Sequence, residues 1–169
     1  RAIGFSMGGW LAAEMAAMCG HAFQKLMLVD AVGIKPDYGE IADIFLLTSA
    51  EVSSLAYYDL QQVPEYAELY GQSPNPEQQY IADRNHEMAA RLCWEPYMFD
   101  PRLPSLLARV RVPTRIVWGR QDRIAPLNCG ELYHLAIPGS ELLVIDNCGH
   151  RPQVEKPQEF IAQAIDFLT

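Results

Sequence analysis

The chain has 169 residues, of which 50% are hydrophobic and 20% are charged, and its formal net charge is −8. This length and composition are typical of a globular chain with one sizeable core. The acidic balance argues against nucleic acid or an anionic membrane surface as a partner. No run of about 18 apolar residues occurs, so we expect no membrane span.

The chain opens on the pattern Gly-x-Ser-x-Gly, formed by Gly4, Ser6 and Gly8. A short apolar run at residues 2–3 precedes it and predicts the end of a buried strand, and the small-residue segment 10–18 that follows predicts a helix. Strand, sharp turn and helix are the setting of a nucleophile elbow, in which a serine hydroxyl is lifted towards a base.

The turn explains the residue types around Ser6. Its backbone would be strained, and a neighbouring Cβ would clash, so we expect Gly4 and Gly8 to provide the space. The serine would also lie at the start of a helix, where the dipole and the N–H groups favour a developing oxyanion. The backbone N–H of Met7 is the predicted first oxyanion donor.

The next elements differ in character. The continuous apolar run 26–29 ends in Asp30 and predicts a strand buried on both faces of a parallel sheet. Residues 36–104 are rich in aromatic side chains and prolines, contain helical patterns such as 41–47 and 77–94, and contain no convincing strand. Such an insertion predicts a helical lid over a site, although the aromatic residues could equally form the core of a plain helical subdomain. Candidate substrate contacts in this region are Tyr57, Tyr58, Trp94 and Tyr97.

The sheet pattern resumes in the last third of the chain. Predicted strands at 115–119 and 141–145 are each followed by a loop, and predicted helices cover 127–136 and the segment that begins at Pro157. Strands that alternate with helices predict a parallel sheet with right-handed crossovers. Residues just beyond the carboxyl ends of such strands converge on one site.

Three residues suited to acyl transfer follow predicted strands, namely Ser6, Asp122 and His150. A serine hydroxyl needs a base beside it, and a histidine with a pKa of about 6.5 can take that proton and return it to a leaving group. Asp122 would fix the tautomer of the imidazole and stabilise the imidazolium. Asp30 is an alternative acid, whereas Asp146 would have to bend back from the loop that carries the histidine.

The order Ser, Asp, His resembles that of the α/β-hydrolase family. Residues 4–9 resemble its nucleophile elbow, residues 118–126 its acid loop and residues 149–157 its histidine loop. The resemblance implies an α/β fold in which a parallel sheet is flanked by helices. It also implies that Ser6, Asp122 and His150 are the catalytic residues, with Phe5 and Arg151 among the substrate contacts.

The resemblance divides the chain into a hydrolase core at residues 1–35 and 105–169 and an inserted lid at residues 36–104. It covers only the C-terminal part of the family fold, because several strands and the loop that supplies a second oxyanion donor precede the elbow in that family. The chain begins at Arg1, inside a predicted central strand, so we expect a fragment with little activity. Its unpaired edge would favour a homo-oligomer or aggregation over a stable monomer.

The resemblance implies a serine hydrolase that acts on a small molecule through an acyl-enzyme, with no cofactor and no metal. Serine at the elbow disfavours the dehalogenase and epoxide hydrolase branches, and a carboxylic ester is the first choice of bond. Carbon–carbon hydrolysis of meta-cleavage-type ring-fission products is the alternative, although those enzymes usually carry Trp where this chain has Arg151. A non-catalytic, hydrolase-like ligand receptor is a third interpretation.

The cysteines add a compartment to these expectations. The four of them are widely spaced and form no Cys-x-x-Cys pair, so they fit neither a zinc site nor a dense disulfide framework. We expect buried thiols in a reducing compartment, and therefore a cytoplasmic protein. The residues concerned are Cys19, Cys93, Cys129 and Cys148.

Overall fold

The chain forms a sheet of four parallel strands, which lie in the order in which they occur along the chain. This computed structural model describes residues 1–63, 66 and 74–169. The predicted α/β architecture, with a parallel sheet flanked by helices, is confirmed. The strands are β1 (Ala2–Phe5), β2 (Leu26–Val29), β3 (Thr114–Gly119) and β4 (Glu141–Ile145).

Helices connect the strands, and local sequence signals explain where several of them begin. Capping boxes open two helices, one at Thr48 and Glu51 and the other at Asn75 and Gln78. The helices of the described residues are α1 (Met7–Met18), α2 (Ser49–Ala56), a 3₁₀ helix (Leu60–Gln62), α3 (Pro76–Cys93), α4 (Leu103–Leu107), α5 (Leu127–Ala136), α6 (Pro152–Glu155) and α7 (Pro157–Leu168).

Apolar clusters pack on both faces of the sheet, and β2 is therefore buried on both sides. Leu28 packs in a cluster with residues of α1, α4 and α5, and the small side chains of α1, such as Ala13 and Ala16, let that helix lie close to the strands. Met27 belongs to a second cluster on the opposite face, which Phe160 of α7 covers. The unbroken apolar run of β2 therefore has the double burial that its sequence predicts.

The inserted region is helical in its described part, with one difference from the sequence expectation. The pattern at 77–94 is confirmed by α3, whereas the helix expected at 41–47 is wrong. Side chains accept from two N–H groups of this segment, since the Ile44 N–H donates to the Tyr97 hydroxyl at 2.9 Å and the Phe45 N–H to Asp43 Oδ1 at 3.0 Å. The lid assignment also covers residues 64–65 and 67–73, which lie outside the described residues.

Two further expectations concern the cysteines and the membrane. All four cysteines are free, and three of them are buried, but Cys19 is exposed just beyond the end of α1. The expectation of buried thiols is therefore wrong at Cys19. In the part of the chain that the structure describes, none of the helices has the length and apolar character needed to cross a membrane.

Candidate active site

Ser6 lies at a sharp turn between the last residue of β1, Phe5, and the first residue of α1, Met7. Its backbone has φ 49° and ψ −122°, a conformation that L-residues rarely adopt. The strand before it stays in the sheet up to the turn, since the Ser6 N–H still donates to Val29 O at 2.9 Å. The predicted strand, turn and helix are all present, and the turn carries the serine beyond the carboxyl end of β1.

Close packing around the turn requires glycine at two positions, and only one of these was expected. A Cβ on Gly4 would lie 2.6 Å from Gly8 O, so the expectation for Gly4 is confirmed. A Cβ on Gly8 would meet nothing within 4 Å, and the expectation for Gly8 is wrong. Gly9 has the second close approach, because its Cβ would lie 2.6 Å from Ala31 Cβ. The turn therefore depends on the glycines at positions 4 and 9.

Three side chains at strand ends form one chain of hydrogen bonds. His150 Nε2 lies 2.9 Å from Ser6 Oγ, and His150 Nδ1 lies 2.7 Å from Asp122 Oδ2. The Asp122 side chain is fully buried, and its other oxygen accepts from the N–H groups of Ile124 at 2.7 Å and Ala125 at 3.0 Å. Hydroxyl, imidazole and carboxylate thus stand in the arrangement that activates a serine for attack.

The alternative acid, Asp30, lies beside this chain and is buried. It follows β2, its backbone φ is 45°, and its Oδ1 accepts from the Gly119 N–H at 2.8 Å. Burial and the neighbouring Asp122 raise the pKa of Asp30 well above its usual range. The carboxyl that bonds to His150 in this structure is that of Asp122. Asp146 points elsewhere and forms an exposed ion pair with Arg120.

The side chains of Asp30, Asp122 and His150 form a compact group. Within the described residues they are the group of three His, Cys, Asp or Glu side chains whose ligand atoms converge, and these atoms lie within 4.8 Å of one another. His150 and Asp122 already bond to each other there. We therefore interpret the group as a hydrogen-bonded cluster and assign no metal to it.

The loop that carries His150 is attached to the inserted region through its backbone. The His150 N–H donates to Ala56 O at 2.8 Å, at the end of α2. Glu155 accepts from the Gly149 N–H at 2.5 Å with one oxygen and from the Tyr58 N–H at 2.6 Å with the other. A Cβ on Gly149 would lie 2.7 Å from Ala56 O, so this contact requires a glycine. These bonds fix the position of the loop backbone that carries the imidazole.

The acid loop is attached to the same helix end by an arginine. Arg123 Nη2 donates to Ser54 O at 2.5 Å and to Tyr57 O at 2.6 Å. Sequence reasoning missed both Arg123 and Glu155 as positioning residues. The sequence did show a charged residue in each of the two loops. However, neither loop motif indicates that this charged residue bonds to the end of α2.

A cavity of about 220 Å³ opens beside the serine. Its walls are mostly apolar and come from both the sheet core and the inserted region, and Arg151 and Gln153 supply polar groups. Two of the expected substrate contacts, Phe5 and Arg151, line it. The lining residues are Phe5, Ser6, Ile44, Val52, Ala56, Ile124, His150, Arg151 and Gln153.

The aromatic residues expected to contact substrate lie elsewhere in the described structure. Tyr97 braces the backbone of residues 42–44 through its hydroxyl and faces a separate cavity of about 390 Å³. Trp94 is 50% exposed and packs beside Tyr97. Tyr58 is 44% exposed and lies outside the lining of the Ser6 cavity. The structure does not bring these three rings to the serine, because they pack within the inserted region or face outward.

Tyr57 does not line the cavity itself but contacts a residue that does. Its side chain is buried in a small cluster with Ile124. The Arg151 guanidinium lies over the Tyr57 ring, with its carbon 5.5 Å from the centroid, and Nη1 is 3.2 Å from the Tyr57 hydroxyl. The tyrosine therefore orients an arginine that lines the cavity rather than lining it itself.

A strand-turn-helix serine, an acid and a histidine at successive strand ends, and an all-parallel sheet define a class of protein. The chain belongs to the alpha/beta hydrolase family, whose model matches residues 2–164. The resemblance of the three sequence motifs to this family is thereby confirmed.

Individual relatives share parts of the sequence. The chain is 44% identical over 68 residues to a 2-hydroxy-6-oxononadienedioate/2-hydroxy-6-oxononatrienedioate hydrolase of Pseudomonas putida, a match that covers 40% of this chain and 24% of that protein. It is 33% identical over 60 residues to monoacylglycerol lipase ABHD6 of Rattus norvegicus, with 36% of this chain and 18% of that protein covered.

Solved structures share the fold over nearly the whole chain. The 2-hydroxy-6-oxo-6-phenylhexa-2,4-dienoate hydrolase of Rhodococcus sp. strain RHA1 matches with a TM-score of 0.77 at 23% identity, over 98% of this chain and 62% of that one. A bacterial membrane phospholipase A matches with a TM-score of 0.67 at 22% identity, over 98% and 55% respectively. The chain therefore spans a little over half of the length of these neighbours.

Proposed function

We propose that the protein is a serine hydrolase that cleaves a carboxylic ester of a small molecule through an acyl-enzyme. The observation that carries this proposal is the continuous hydrogen-bond chain from Ser6 Oγ through both nitrogens of His150 to Asp122, with contacts of 2.9 and 2.7 Å. The Asp122 carboxylate accepts from Nδ1, which selects the tautomer with its proton on Nδ1 and leaves Nε2 free to accept from the serine.

The reaction follows from these positions. Ser6 Oγ attacks the ester carbonyl while His150 Nε2 takes the hydroxyl proton, and Asp122 stabilises the imidazolium that forms. The Met7 N–H faces no acceptor within its own helix, because it is among the first four N–H groups of α1. It donates to the oxyanion in our proposal. His150 then returns the proton to the departing alcohol, and water repeats the sequence on the acyl-enzyme.

We extend the proposal to the inserted region, residues 36–104, as the lid that sets substrate size. Ile44, Val52 and Ala56 of this region line the cavity beside Ser6, which supports the assignment. Exchanging the region for that of a relative should move the chain-length preference while the triad chemistry persists. An unchanged substrate profile would contradict the assignment.

Carbon–carbon hydrolysis is the second candidate, and the 44% identity to the Pseudomonas putida hydrolase favours it. Arg151 next to the histidine distinguishes this chain from the pattern with Trp at that position. An ester and a vinylogous ketone would both place a carbonyl carbon at Ser6 Oγ. Substrate comparison therefore has to separate the two bond types.

One set of measurements tests these proposals. The full-length protein and its Ser6→Ala variant should be treated with a fluorophosphonate and assayed on p-nitrophenyl esters and on dienoic diketones. We expect labelling at Ser6 and ester turnover, both absent from the variant. Labelling with turnover of the diketones alone would replace the ester proposal by carbon–carbon hydrolysis. A protein with no label and no turnover would fit a ligand receptor.

A further inference from the structure

Asp30 lies next to Asp122 and His150, although the proposed reaction does not use it. It follows β2, whose neighbours in the sheet are β1, which leads to Ser6, and β3, which leads to Asp122. The residue is 1% exposed, and its positive φ of 45° is a conformation that side chains adopt at some cost. A buried carboxyl in a strained position, next to reacting groups, requires a physical explanation.

The hydrogen bonds of Asp30 are incomplete for an ionised group. Its Oδ1 accepts from the Gly119 N–H at 2.8 Å, whereas Oδ2 is buried without a hydrogen-bond partner among the described residues. A carboxylate oxygen out of water and without a donor is costly. A protonated carboxyl, by contrast, has a donor to offer and needs only an acceptor.

The acceptor is close by. Ligand atoms of Asp30, Asp122 and His150 lie within 4.8 Å of one another. Two ionised carboxylates this close would repel each other, which favours a proton on one of them. Two other titratable groups face Asp30. The charge of Glu155 also disfavours ionisation of Asp30, and the pKa of the buried Cys148 thiol is raised mainly by burial, with Glu155 and Asp30 adding to it.

The count of donors decides which carboxyl holds the proton. Asp122 accepts from the N–H groups of Ile124 and Ala125 and from His150, whereas within the described ranges Asp30 accepts from the Gly119 N–H alone. The negative charge is therefore stabilised on Asp122. The raised pKa of Asp30, caused first by burial and then by Asp122, agrees with this assignment.

We propose that Asp30 is a positioning residue that remains neutral and donates its carboxyl proton to the Asp122 carboxylate. This inference rests on the proposed triad and extends it to the order Asp30, Asp122, His150, Ser6. The donated hydrogen bond holds Asp122 in the rotamer that faces His150 and tempers its negative charge. Asp30 is not among the residues that line the cavity beside Ser6.

Two substitutions in the full-length protein separate a neutral donor from a charged acid. Asp30→Asn keeps an acceptor for the Gly119 N–H and an N–H donor for Asp122, so kcat should stay within a few-fold of the parent. Asp30→Leu has a similar shape without the donor and should lower kcat by about 10- to 100-fold, the effect of a hydrogen bond to a charged group. Equal losses in both variants, or no loss in Asp30→Leu, would overturn the proposal.

The pH profile gives a readout that a merely structural role would not change. Without its donor, Asp122 stabilises the His150 imidazolium more strongly, so the acid limb of kcat/KM should move to higher pH in Asp30→Leu. The limb should keep its position in Asp30→Asn. A limb that moves equally in the two variants, or in neither, would contradict the proposed coupling.

Stability supplies a test that needs no turnover and no leucine variant. Because the pKa of Asp30 is raised in the folded state, its contribution to stability is greatest below the unfolded value of about 3.9 and is lost as the pH rises above it. The parent should therefore lose free energy of unfolding relative to Asp30→Asn between about pH 4 and neutrality. A difference that stays constant over this range would overturn the neutral carboxyl.

Infrared spectroscopy completes the test. At neutral pH the parent should show the carbonyl stretch of a protonated carboxylic acid, and Asp30→Asn should lack it. Absence of this band from the parent would reject the neutral Asp30. The fluorophosphonate label on Ser6 reports separately on the proposed function, so that an unlabelled serine with the band present would reject the hydrolase and not the neutral Asp30.

Discussion

The strand β2 and the helix α3 differ in how far their apolar residues are buried. All four residues of β2 are 0% exposed and lie between two core clusters. Along α3, Cys93 is the buried residue, while Ile81 is 51% exposed and Leu92 is 63% exposed. The catalytic residues of the proposed site follow strands of the same sheet, and the insertion reaches that site mainly through the end of α2.

The two regions also differ in their roles. The strand ends hold the reactive groups in position, and the insertion forms part of the cavity wall. Asp122 and His150 are held by hydrogen bonds to backbone groups, in the loops that follow β3 and β4. Side chains of the insertion, such as Val52, form walls of the cavity. Substitutions in the two regions should therefore differ in kind as well as in size.

The largest effect is expected at the nucleophile and its base. In the full-length protein, Ser6→Ala and His150→Ala should each lower kcat/KM on an ester by about 10⁴-fold or more, because the two side chains act as a unit. The double variant should be little worse than either single one. Losses that multiply in the double variant would show that the two residues do not share a mechanism.

Replacing the acid comes next. Asp122→Asn should lower kcat by about 10⁴-fold through the wrong tautomer of His150, with the circular dichroism spectrum unchanged. Asp146→Asn is the matched control, because this carboxyl pairs with Arg120 at the surface and should leave kcat near the parent value. A larger loss in Asp30→Asn than in Asp122→Asn would reverse the assignment of the acid.

The two regions should also differ in stability, measured by denaturant unfolding. Leu28→Ala removes a side chain that is 0% exposed and should lower the free energy of unfolding by about 2–5 kcal/mol. Leu92→Ala on α3, where the side chain is 63% exposed, should change it by no more than about 0.5 kcal/mol. A cost at Leu92 as large as that at Leu28 would show that a partner covers α3 in solution.

A smaller effect is expected where the two regions meet. Glu155→Ala removes the acceptor for the N–H groups of Gly149 and Tyr58, so the histidine loop should loosen. Misplacement by about 1 Å can cost about 10²-fold, so kcat should fall by up to that factor. Glu159→Ala, at an exposed position of α7, is the control and should leave kcat unchanged. Equal kcat values for the two variants would remove Glu155 from the positioning residues.

The sequence by itself determined the order of the elements and the identity of the elbow. Period, run length and glycine positions are local signals, which is why β2, α3 and the turn at Ser6 could be predicted from neighbouring residues. Even so, the local pattern at 41–47 gave a wrong prediction. Tyr97 and Asp43 accept hydrogen bonds there from backbone N–H groups that would donate to carbonyls within a helix. Local sequence signals also misplaced a tight contact at Gly8 that belongs to Gly9.

Only the tertiary structure decided how the chemistry-bearing residues combine. Three aspartates follow strands, and long-range packing selects Asp122 as the partner of His150, buries Asp30 beside it and leaves Asp146 at the surface. The brace between Glu155 and the Tyr58 N–H joins positions 97 residues apart, which no local period encodes. Side chains at strand ends meet because a parallel sheet brings those ends to one edge, and their final contacts depend on the register and packing of the whole sheet.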